Sequence, residues 1–278
     1  MSTLVYIELQ KIFKKWRTYI GFIAIAVLVA LVQISIYLTG SGYANMAERS
    51  LKNQFAISGD LVNGYLIGSL ILNALFVHIP FLIVLVGGDL LAGEATAGTY
   101  RMLVTRPVSR VKIIVSKFIA GNIYVFLMMA WLALLSLGLS VLFFGSGEMI
   151  IFSDGIVLLA ENDILWRFAG AYLVSLISLS TVFSLSFFFS SLVENAIGPI
   201  VASMAVIIIL IIVSALEIEI LNPIKPYLFP VHMGIWSNFF TEPVDYGIIM
   251  ESIGILVAHT AVFFGAALYI FKKKDILS

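Results

Sequence analysis

Residues 195 to 216 read NAIGPIVASMAVIIILIIVSAL, a stretch without a single charged side chain. Five further stretches lack Asp, Glu, Lys and Arg for at least 20 residues, namely 18 to 47, 61 to 88, 118 to 147, 168 to 193 and 252 to 271. A helix needs about 20 apolar residues to cross the hydrocarbon core of a bilayer. The sequence therefore predicts six transmembrane spans, at residues 18–39, 64–87, 117–144, 167–190, 196–216 and 249–271.

The composition points to the same class of protein. Of the 278 residues, 61% are apolar and 12% are charged, against about 45 to 50% and about 25% in soluble domains. These values exclude a soluble enzyme and a disordered chain, and the long uniform runs exclude an outer-membrane barrel, whose strands have about ten alternating residues. Without cysteine, the chain has no disulfide, thiolate nucleophile or cysteine-based metal site. We predict an all-α polytopic membrane protein with a single transmembrane domain over residues 1–278.

The charged residues predict an orientation. If the segments between spans alternate between the two sides, twelve of the sixteen Lys and Arg residues lie on the side that holds both termini. Eleven of the sixteen Asp and Glu residues lie on the other side. The positive-inside rule then places both termini in the cytoplasm, so we expect a multi-pass protein of the cytoplasmic (inner) membrane. Arg110, Lys112 and Lys117 are expected at the level of the lipid headgroups, just before span three.

The segment before the first span has a helical period. Its apolar face would consist of Val5, Leu9, Ile12, Phe13 and Trp16. Its polar face would consist largely of Glu8, Lys11, Lys14 and Lys15. This pattern predicts that residues 3–16 form an amphipathic helix lying in the cytoplasmic membrane interface.

Turn and capping residues mark the cytoplasmic segment between spans two and three. Residues 87 to 117 read GGDLLAGEATAGTYRMLVTRPVSRVKIIVSK. Gly98 permits a positive φ, and Thr99 can cap a short amphipathic helix, which Pro107 would end. Ser109 is placed to cap the helix that follows. We therefore expect a bent element, a short exposed helix between two turns, at the cytoplasmic face.

This segment resembles the coupling-helix signature of type 2 ABC transporter permeases, the membrane subunits of ATP-driven exporters. The residues that carry the resemblance are Gly93, Glu94, Gly98, Thr99, Leu103, Arg106, Pro107, Ser109, Arg110, Ser116 and Lys117. The layout agrees over the whole chain and is most similar to the nitrous-oxide-reductase maturation permeases. The turn between spans four and five, residues 189 to 195, resembles the family's second cytoplasmic contact and includes Glu194.

The resemblance implies a permease that couples ATP hydrolysis in a separate cytoplasmic ATP-binding subunit to export or mechanical work. The implied partners are that subunit, which would hold ATP and Mg, a second permease copy (identical or a paralogue), the lipid bilayer and, in some members, an extracytoplasmic accessory protein, but no nucleic acid. The implied coupling residues, within the segment 93–110 and the later turn, are Gly93, Glu94, Gly98, Thr99, Arg101, Leu103, Arg106, Pro107, Ser109, Arg110 and Glu194. The chain lacks the G-x-x-x-x-G-K-[ST] phosphate loop, so we expect it to be no ATPase and to bind no cofactor or metal itself.

Glu94 is expected to stiffen the coupling segment rather than to act as a catalytic acid. A carboxylate near the start of a short helix is favoured by the helix dipole. We also expect Glu94 to form an ion pair with Arg101 or Arg110.

Three ionisable residues within the spans leave another function open. His78, His259 and Glu251 could carry protons in a proton-coupled secondary transporter, and the histidines could bind a metal. Neither histidine has a carboxylate or a second histidine at i+3 or i+4, so hydrogen bonds between helices are the simpler prediction. A membrane scaffold without transport is the third alternative. Pro80 is expected to loosen span two.

The long outer segment, residues 217 to 247, contains Pro223, Pro226 and Pro230 within eight residues. Prolines at this spacing forbid a continuous helix. We expect a short interfacial or partly re-entrant hairpin. Six serines of span four, which are Ser175, Ser178, Ser180, Ser184, Ser186 and Ser190, are expected to allow close helix packing.

Overall fold

The computed structural model describes residues 1–54, 62–98, 108–152 and 156–274, with the backbone alone from 39 to 54 and at 152 and 156. Thr99, Arg101, Leu103, Arg106 and Pro107, and with them the predicted short coupling helix, lie outside the described residues. Within the described chain the fold is all-α, as predicted, apart from one antiparallel hairpin of β1 (Met149–Phe152) and β2 (Ile156–Leu159).

The α-helices of the described chain follow the apolar runs of the sequence. They are α1 (Ser2–Lys14), α2 (Trp16–Gln54), α3 (Gly64–Phe76), α4 (Ile79–Gly87), α5 (Asp89–Thr96), α6 (Arg110–Ala133), α7 (Ser140–Phe144), α8 (Glu161–Leu192), α9 (Ile197–Ala215), α10 (Phe229–Met233) and α11 (Tyr246–Lys273). By length and composition, six segments of the described chain can cross a membrane: Trp16–Leu38, Ile79–Thr96, Arg110–Phe144, Glu161–Leu192, Ile197–Ala215 and Tyr246–Lys273. The predicted number of spans is confirmed.

The segment predicted as the second span, residues 64–87, is not one helix, and the part of this region that can cross a membrane by length and composition is Ile79–Thr96. The apolar helix α3 ends at Phe76, and α4 begins at Ile79 after a turn at Val77 and His78. Pro80 lies in the first turn of α4, where its missing N–H leaves no helical hydrogen bond unmade. A continuous helix would instead bring the proline ring against the carbonyl of Phe76, so the chain breaks at this point.

Helix α1 agrees with the predicted amphipathic helix in position but not in its polar face. Lys15 has an extended backbone and separates α1 from α2. Glu8, assigned from the sequence to the exposed face, is only 5% exposed, because α1 packs against α6.

Helix α8 lies at the centre of the bundle and contacts α4, α5, α6, α9 and α11. Five of the six serines named above are buried on this helix, and Ser180 is half-buried. A Cβ atom on Gly87 of α4 would overlap the hydroxyl of Ser186. Small side chains therefore set the close approach of α4 to α8, as the sequence predicted.

The long outer segment is a chain of short helices that folds back against the bundle. It consists of 3-10 turns at Glu219–Leu221, Lys225–Tyr227 and Gly234–Phe240, with α10 between the last two. Phe229, Met233 and Trp236 are buried in the main core. Arg167 on α8 holds the segment: its guanidinium donates to the carbonyls of Phe239 (3.1 Å) and Thr241 (2.8 Å).

A π-helical turn, Leu134–Leu139, interrupts the third span between α6 and α7. The amide of Gln33 on α2 donates to the carbonyl of Leu135 and to the hydroxyl of Ser140, both at 3.0 Å. A π-turn changes the pairing of the backbone carbonyls, and Gln33 is a buried donor for one of them. Helix α2 is thus joined to the π-turn and to α7 in the interior of the span.

Candidate functional site

Four buried or half-buried charges meet where α1, α5 and α6 converge. Lys117 Nζ lies 2.7 Å from Glu8 Oε2 and 2.7 Å from Glu94 Oε1. Lys11 Nζ lies 2.8 Å from Glu8 Oε1 and 2.7 Å from Glu94 Oε1. We call Glu8, Lys11, Glu94 and Lys117 the charge cluster. Its two cations and two carboxylates alternate, which compensates the loss of hydration that buried charges suffer.

The cluster joins three separate parts of the chain. Glu8 and Lys11 are three residues apart and therefore share one face of α1. Glu94 comes from α5 and Lys117 from the second turn of α6, and their side chains are 9% and 1% exposed. Burial lowers the pKa of Lys11, but its bonds to Glu8 and Glu94 outweigh this effect and raise the pKa above its ordinary value. Lys11 therefore stays charged at neutral pH.

The position of Lys117 differs from the predicted one, which was at the level of the lipid headgroups before span three. Helix α6 begins at Arg110, not at residue 117, and Lys117 is one of the largest fully buried side chains. A lysine is rarely buried without a partner. Two carboxylates from other helices supply that partner here, and sequence periodicity contains no sign of them.

A second group of charges ties the α1–α2 junction to the start of α5. Asp89 Oδ2 lies 2.6 Å from Lys15 Nζ, and Asp89 Oδ1 lies 3.0 Å from Arg17 Nη1. Asp89 is the first residue of α5, where the helix dipole favours a negative charge. A Cβ atom on Gly93 would overlap the Asp89 carboxylate, so Gly93 leaves room for this pair.

Glu94 lies in the last turn of α5, where the dipole of that helix does not favour it. The short helix near whose start it was expected lies outside the described residues. Lys11 and Lys117 neutralise the carboxylate of Glu94. Arg110, one of its two predicted partners, donates to the carbonyls of Lys272 (3.2 Å) and Lys274 (2.8 Å) at the end of α11. Its other predicted partner, Arg101, is outside the described residues.

Ser190 attaches α5 to the end of α8. Its hydroxyl accepts hydrogen bonds from the backbone N–H groups of Leu91 (3.1 Å) and Ala92 (2.9 Å) and donates to the carbonyl of Gly88 (2.6 Å). Amides in the first turn of a helix have no partner within it, so a serine from another helix acts as the cap. The same end of α8 is held by Thr96, whose hydroxyl donates to the carbonyl of Glu194 at 2.8 Å.

Several predicted site residues do come together at this end of the bundle. Gly93 and Glu94 lie on α5. The backbone carbonyl of Glu194 accepts a hydrogen bond from Thr96. The side chain of Glu194 is 74% exposed, and its carboxylate lies 3.8 Å from Lys274. Gly98 has a φ of 66°, as its turn chemistry predicted. The Ser109 hydroxyl accepts from the N–H of Lys112 at 3.3 Å and caps α6, also as predicted.

The predicted hydrogen bonds of His78 and His259 between helices are not found among the described residues, where each histidine bonds to its own segment. His78 is exposed, and its Nδ1 bonds to the carbonyl of Ala74 within the same predicted span. His259 Nδ1 bonds to the carbonyl of Ile255 on its own helix, and Glu251 is exposed. Within the described ranges, no group of three or more His, Asp or Glu side chains could hold a metal ion.

Sequence reasoning missed Asp89 and the partners of Glu94. The scarcity of acidic residues on the basic side of the membrane could have indicated these ion pairs. Glu8, Asp89 and Glu94 are three of only five acidic residues on the side where the bases cluster. It also missed His232, whose ring nitrogens bond to the Ser252 hydroxyl (3.0 Å) and the Pro226 carbonyl (2.7 Å).

A cavity of about 470 Å³ lies beside these charges, between α1, α4, α5 and α6. Its lining includes the whole charge cluster together with Asp89, Lys14, Lys15 and Arg17. Apolar side chains complete the lining, among them Leu4, Ile7, Leu85, Val86 and Leu90. The cavity lining thus contains both apolar and charged side chains.

The fold and the site define a polytopic helical membrane protein with a charged helix junction at one end. The family model described as ABC-2 family transporter protein matches residues 2–276, and the chain belongs to this family. A relative from Bacillus subtilis (strain 168), the uncharacterized protein YhcI, is 27% identical over 200 residues, which cover 69% of this chain and 63% of the relative. The chain therefore spans less than two thirds of that relative's length. The predicted type 2 ABC permease family is confirmed, and the protein is a multi-pass membrane protein.

Proposed function

We propose that this chain is the permease subunit of an ATP-driven exporter and that a separate cytoplasmic ATP-binding subunit docks on the segment 93–110 and on the turn at Glu194. The single observation that carries the proposal is the burial of Glu94 between Lys11 and Lys117. An exposed loop carboxylate would be hydrated. A carboxylate fixed between two helices supports a segment that must transmit displacement.

The contacts of α5 suggest how force passes into the membrane. Ion pairs of Asp89 and Glu94 connect α5 to α1 and to the start of α2. Lys117 connects it to α6, and Ser190 connects it to α8. Breaking a buried ion pair on one side costs about 3 to 5 kcal/mol. A push on the segment that follows α5 would therefore move the ends of these helices together instead of separating them.

The proposal also includes the orientation of the chain in the membrane and the subunits of the transporter. The basic end of the bundle, with both termini, faces the cytoplasm across the inner membrane, in accord with the positive-inside rule. A second permease copy completes the transporter, and ATP and Mg belong to the partner subunit. The similarity to the nitrous-oxide-reductase maturation permeases adds an extracytoplasmic accessory protein as a further partner in this proposal.

The test is to co-express the chain with its ATP-binding partner and to measure ATP hydrolysis in nanodiscs. We expect Glu94→Gln and Gly98→Val to leave the complex assembled while they remove most of the permease-dependent stimulation. Gly98→Val acts through the backbone, since only glycine adopts φ near 66° without strain. The matched control is Glu242→Gln, which removes one salt-bridge carboxylate at the opposite end.

Two results would overturn the proposal. One is full stimulation in both variants, which would show that the segment transmits nothing. The other is purification of the chain from its native membrane without an ATP-binding protein, which would favour a secondary transporter or a scaffold.

A further inference from the structure

The charges around the cavity do not balance. Its cationic lining residues are Lys11, Lys14, Lys15, Arg17 and Lys117, and its carboxylates are Glu8, Asp89 and Glu94. The charge cluster is neutral by itself, and Asp89 is shared between Lys15 and Arg17. Lys14 is exposed and has no ion pair or hydrogen-bond partner among the described residues. The lining therefore carries an excess of two positive charges, both at the α1–α2 junction.

This junction lies at the depth of the lipid headgroups. The first membrane-spanning segment begins at Trp16, one residue after Lys15. Trp16 is 71% exposed and Tyr19 is 41% exposed, and aromatic side chains at the ends of spans mark the membrane–water interface. The excess positive charges of the lining therefore lie at the level where lipid phosphates are found.

Part of the cavity lining is apolar. Leu4 and Ile7 come from α1, Leu85 and Val86 from α4, and Leu90 from the first turn of α5. The cavity volume of about 470 Å³ lies within the usual range of small-molecule sites, about 300 to 1,000 Å³. A phosphate with a glycerol unit fits this space, with the attached acyl chains in the surrounding bilayer.

We propose that this cavity binds the headgroup of an anionic phospholipid, with the phosphate at Lys14, Lys15 and Arg17 and the glycerol region against the apolar part of the lining. A zwitterionic headgroup carries its own cation and gains less from the positive excess. A soluble phosphate has no apolar part to cover Leu4 and Ile7. The proposal is independent of any ATP-binding partner, because it rests on the cavity alone.

Native mass spectrometry tests the site by titrating the detergent-purified permease with phosphatidylglycerol or phosphatidylcholine of identical acyl chains. We expect the wild-type chain to retain phosphatidylglycerol at least about tenfold more tightly, since each basic side chain near the surface contributes about fivefold. Lys14→Gln should weaken phosphatidylglycerol about fivefold and leave phosphatidylcholine unchanged. The control is Lys112→Gln, an exposed lysine of α6 outside the lining.

A second variant and a competitor separate the alternatives. Leu4→Trp fills the cavity without changing its charge and should release the bound phosphatidylglycerol. Free glycerol phosphate in large excess should not displace it. Displacement by this soluble compound would assign the site to a soluble phosphate and overturn the lipid proposal. Equal retention of the two lipids, or an equal loss in Lys112→Gln, would overturn it as well. None of these readouts depends on ATP hydrolysis, so this proposal can fail while the coupling proposal stands.

Discussion

The ammonium group of Lys117, buried to 1% exposure, lies 2.7 Å from the carboxylate of Glu94, which comes from another helix 23 positions earlier in the chain. Both groups would be costly to bury alone. They are stable in the bundle because Glu8 and Lys11 complete a balanced set of four charges. The stability of this junction therefore depends on charge balance more than on any single pair.

Charge balance predicts different outcomes for single and double variants. Lys117→Met leaves two carboxylates with Lys11 alone and should destabilise the protein by about 3 to 5 kcal/mol. The double variant Lys117→Met with Glu94→Leu leaves the Glu8–Lys11 pair and should recover most of that loss, since apolar replacements of buried pairs are often neutral. Thermal unfolding in detergent measures both, with Lys112→Met as the exposed control. Equal stability of Lys117→Met and Lys112→Met would contradict the balance argument.

The serine that caps α5 from α8 gives a second prediction. Ser190→Ala removes the acceptor of the Leu91 and Ala92 amides, and a buried donor without a partner costs about 1 to 3 kcal/mol. We expect a lower melting temperature for this variant. The neighbouring Ser191→Ala is the control, because in the described part of the chain the Ser191 hydroxyl bonds within its own helix, to the carbonyl of Phe188. If the two variants melt alike, the cap contributes nothing to stability.

At the opposite end of the bundle, Arg167 is expected to hold the long outer segment. Arg167→Lys replaces a planar guanidinium by a single ammonium group, which cannot reach the carbonyls of Phe239 and Thr241 and the carboxylates of Asp163 and Glu242 together. Hydrogen exchange of residues 234 to 243 should become faster. Lys225→Arg, a conservative change in the same outer segment, should leave exchange unchanged. Unaltered exchange in Arg167→Lys would mean that apolar packing alone holds the segment.

Helix packing predicts opposite effects for two Gly→Ala substitutions. A Cβ atom on Gly121 of α6 would overlap the ring of Phe183 on α8, so Gly121→Ala should be destabilising by about 1 to 3 kcal/mol. On Gly254 of α11 a Cβ atom meets nothing within 4 Å, and Gly254→Ala should be neutral or stabilising by up to about 1 kcal/mol. Thermal unfolding compares them. Adding Phe183→Leu should restore part of the loss in Gly121→Ala, and a lack of any rescue would point to a different cause.

The sequence predicts the number of spans because the bilayer imposes a simple rule. Every backbone polar group in lipid must be paired within its own helix, so long charge-free runs must become helices. Gly98 and Ser109 were also predictable, since turn and cap chemistry is local. The turn at Gly98 and the cap at Ser109 depend only on residues close by in the sequence.

The charge cluster was not predictable in the same way. The partners of Glu94 are 83 and 23 positions away along the chain, and helical periodicity carries no information about contacts between helices. Helix α5 begins five residues before Glu94, after the turn at Gly88, and this start was not predicted. Local rules could not place this start, since Ser190, which caps the helix, comes from α8.

The bond between Gln33 and the π-turn of the third span fixes α2, the first span, near the middle of its length. Gln33 lies about 25 Å from Trp16 along α2, close to the middle of the helix Trp16–Gln54. A rod that is pinned at its middle and pushed at one end swings its far end in the opposite direction. Tilting of α2 by the salt bridge between Arg17 and Asp89 would therefore narrow the bundle on one face of the membrane while widening it on the other.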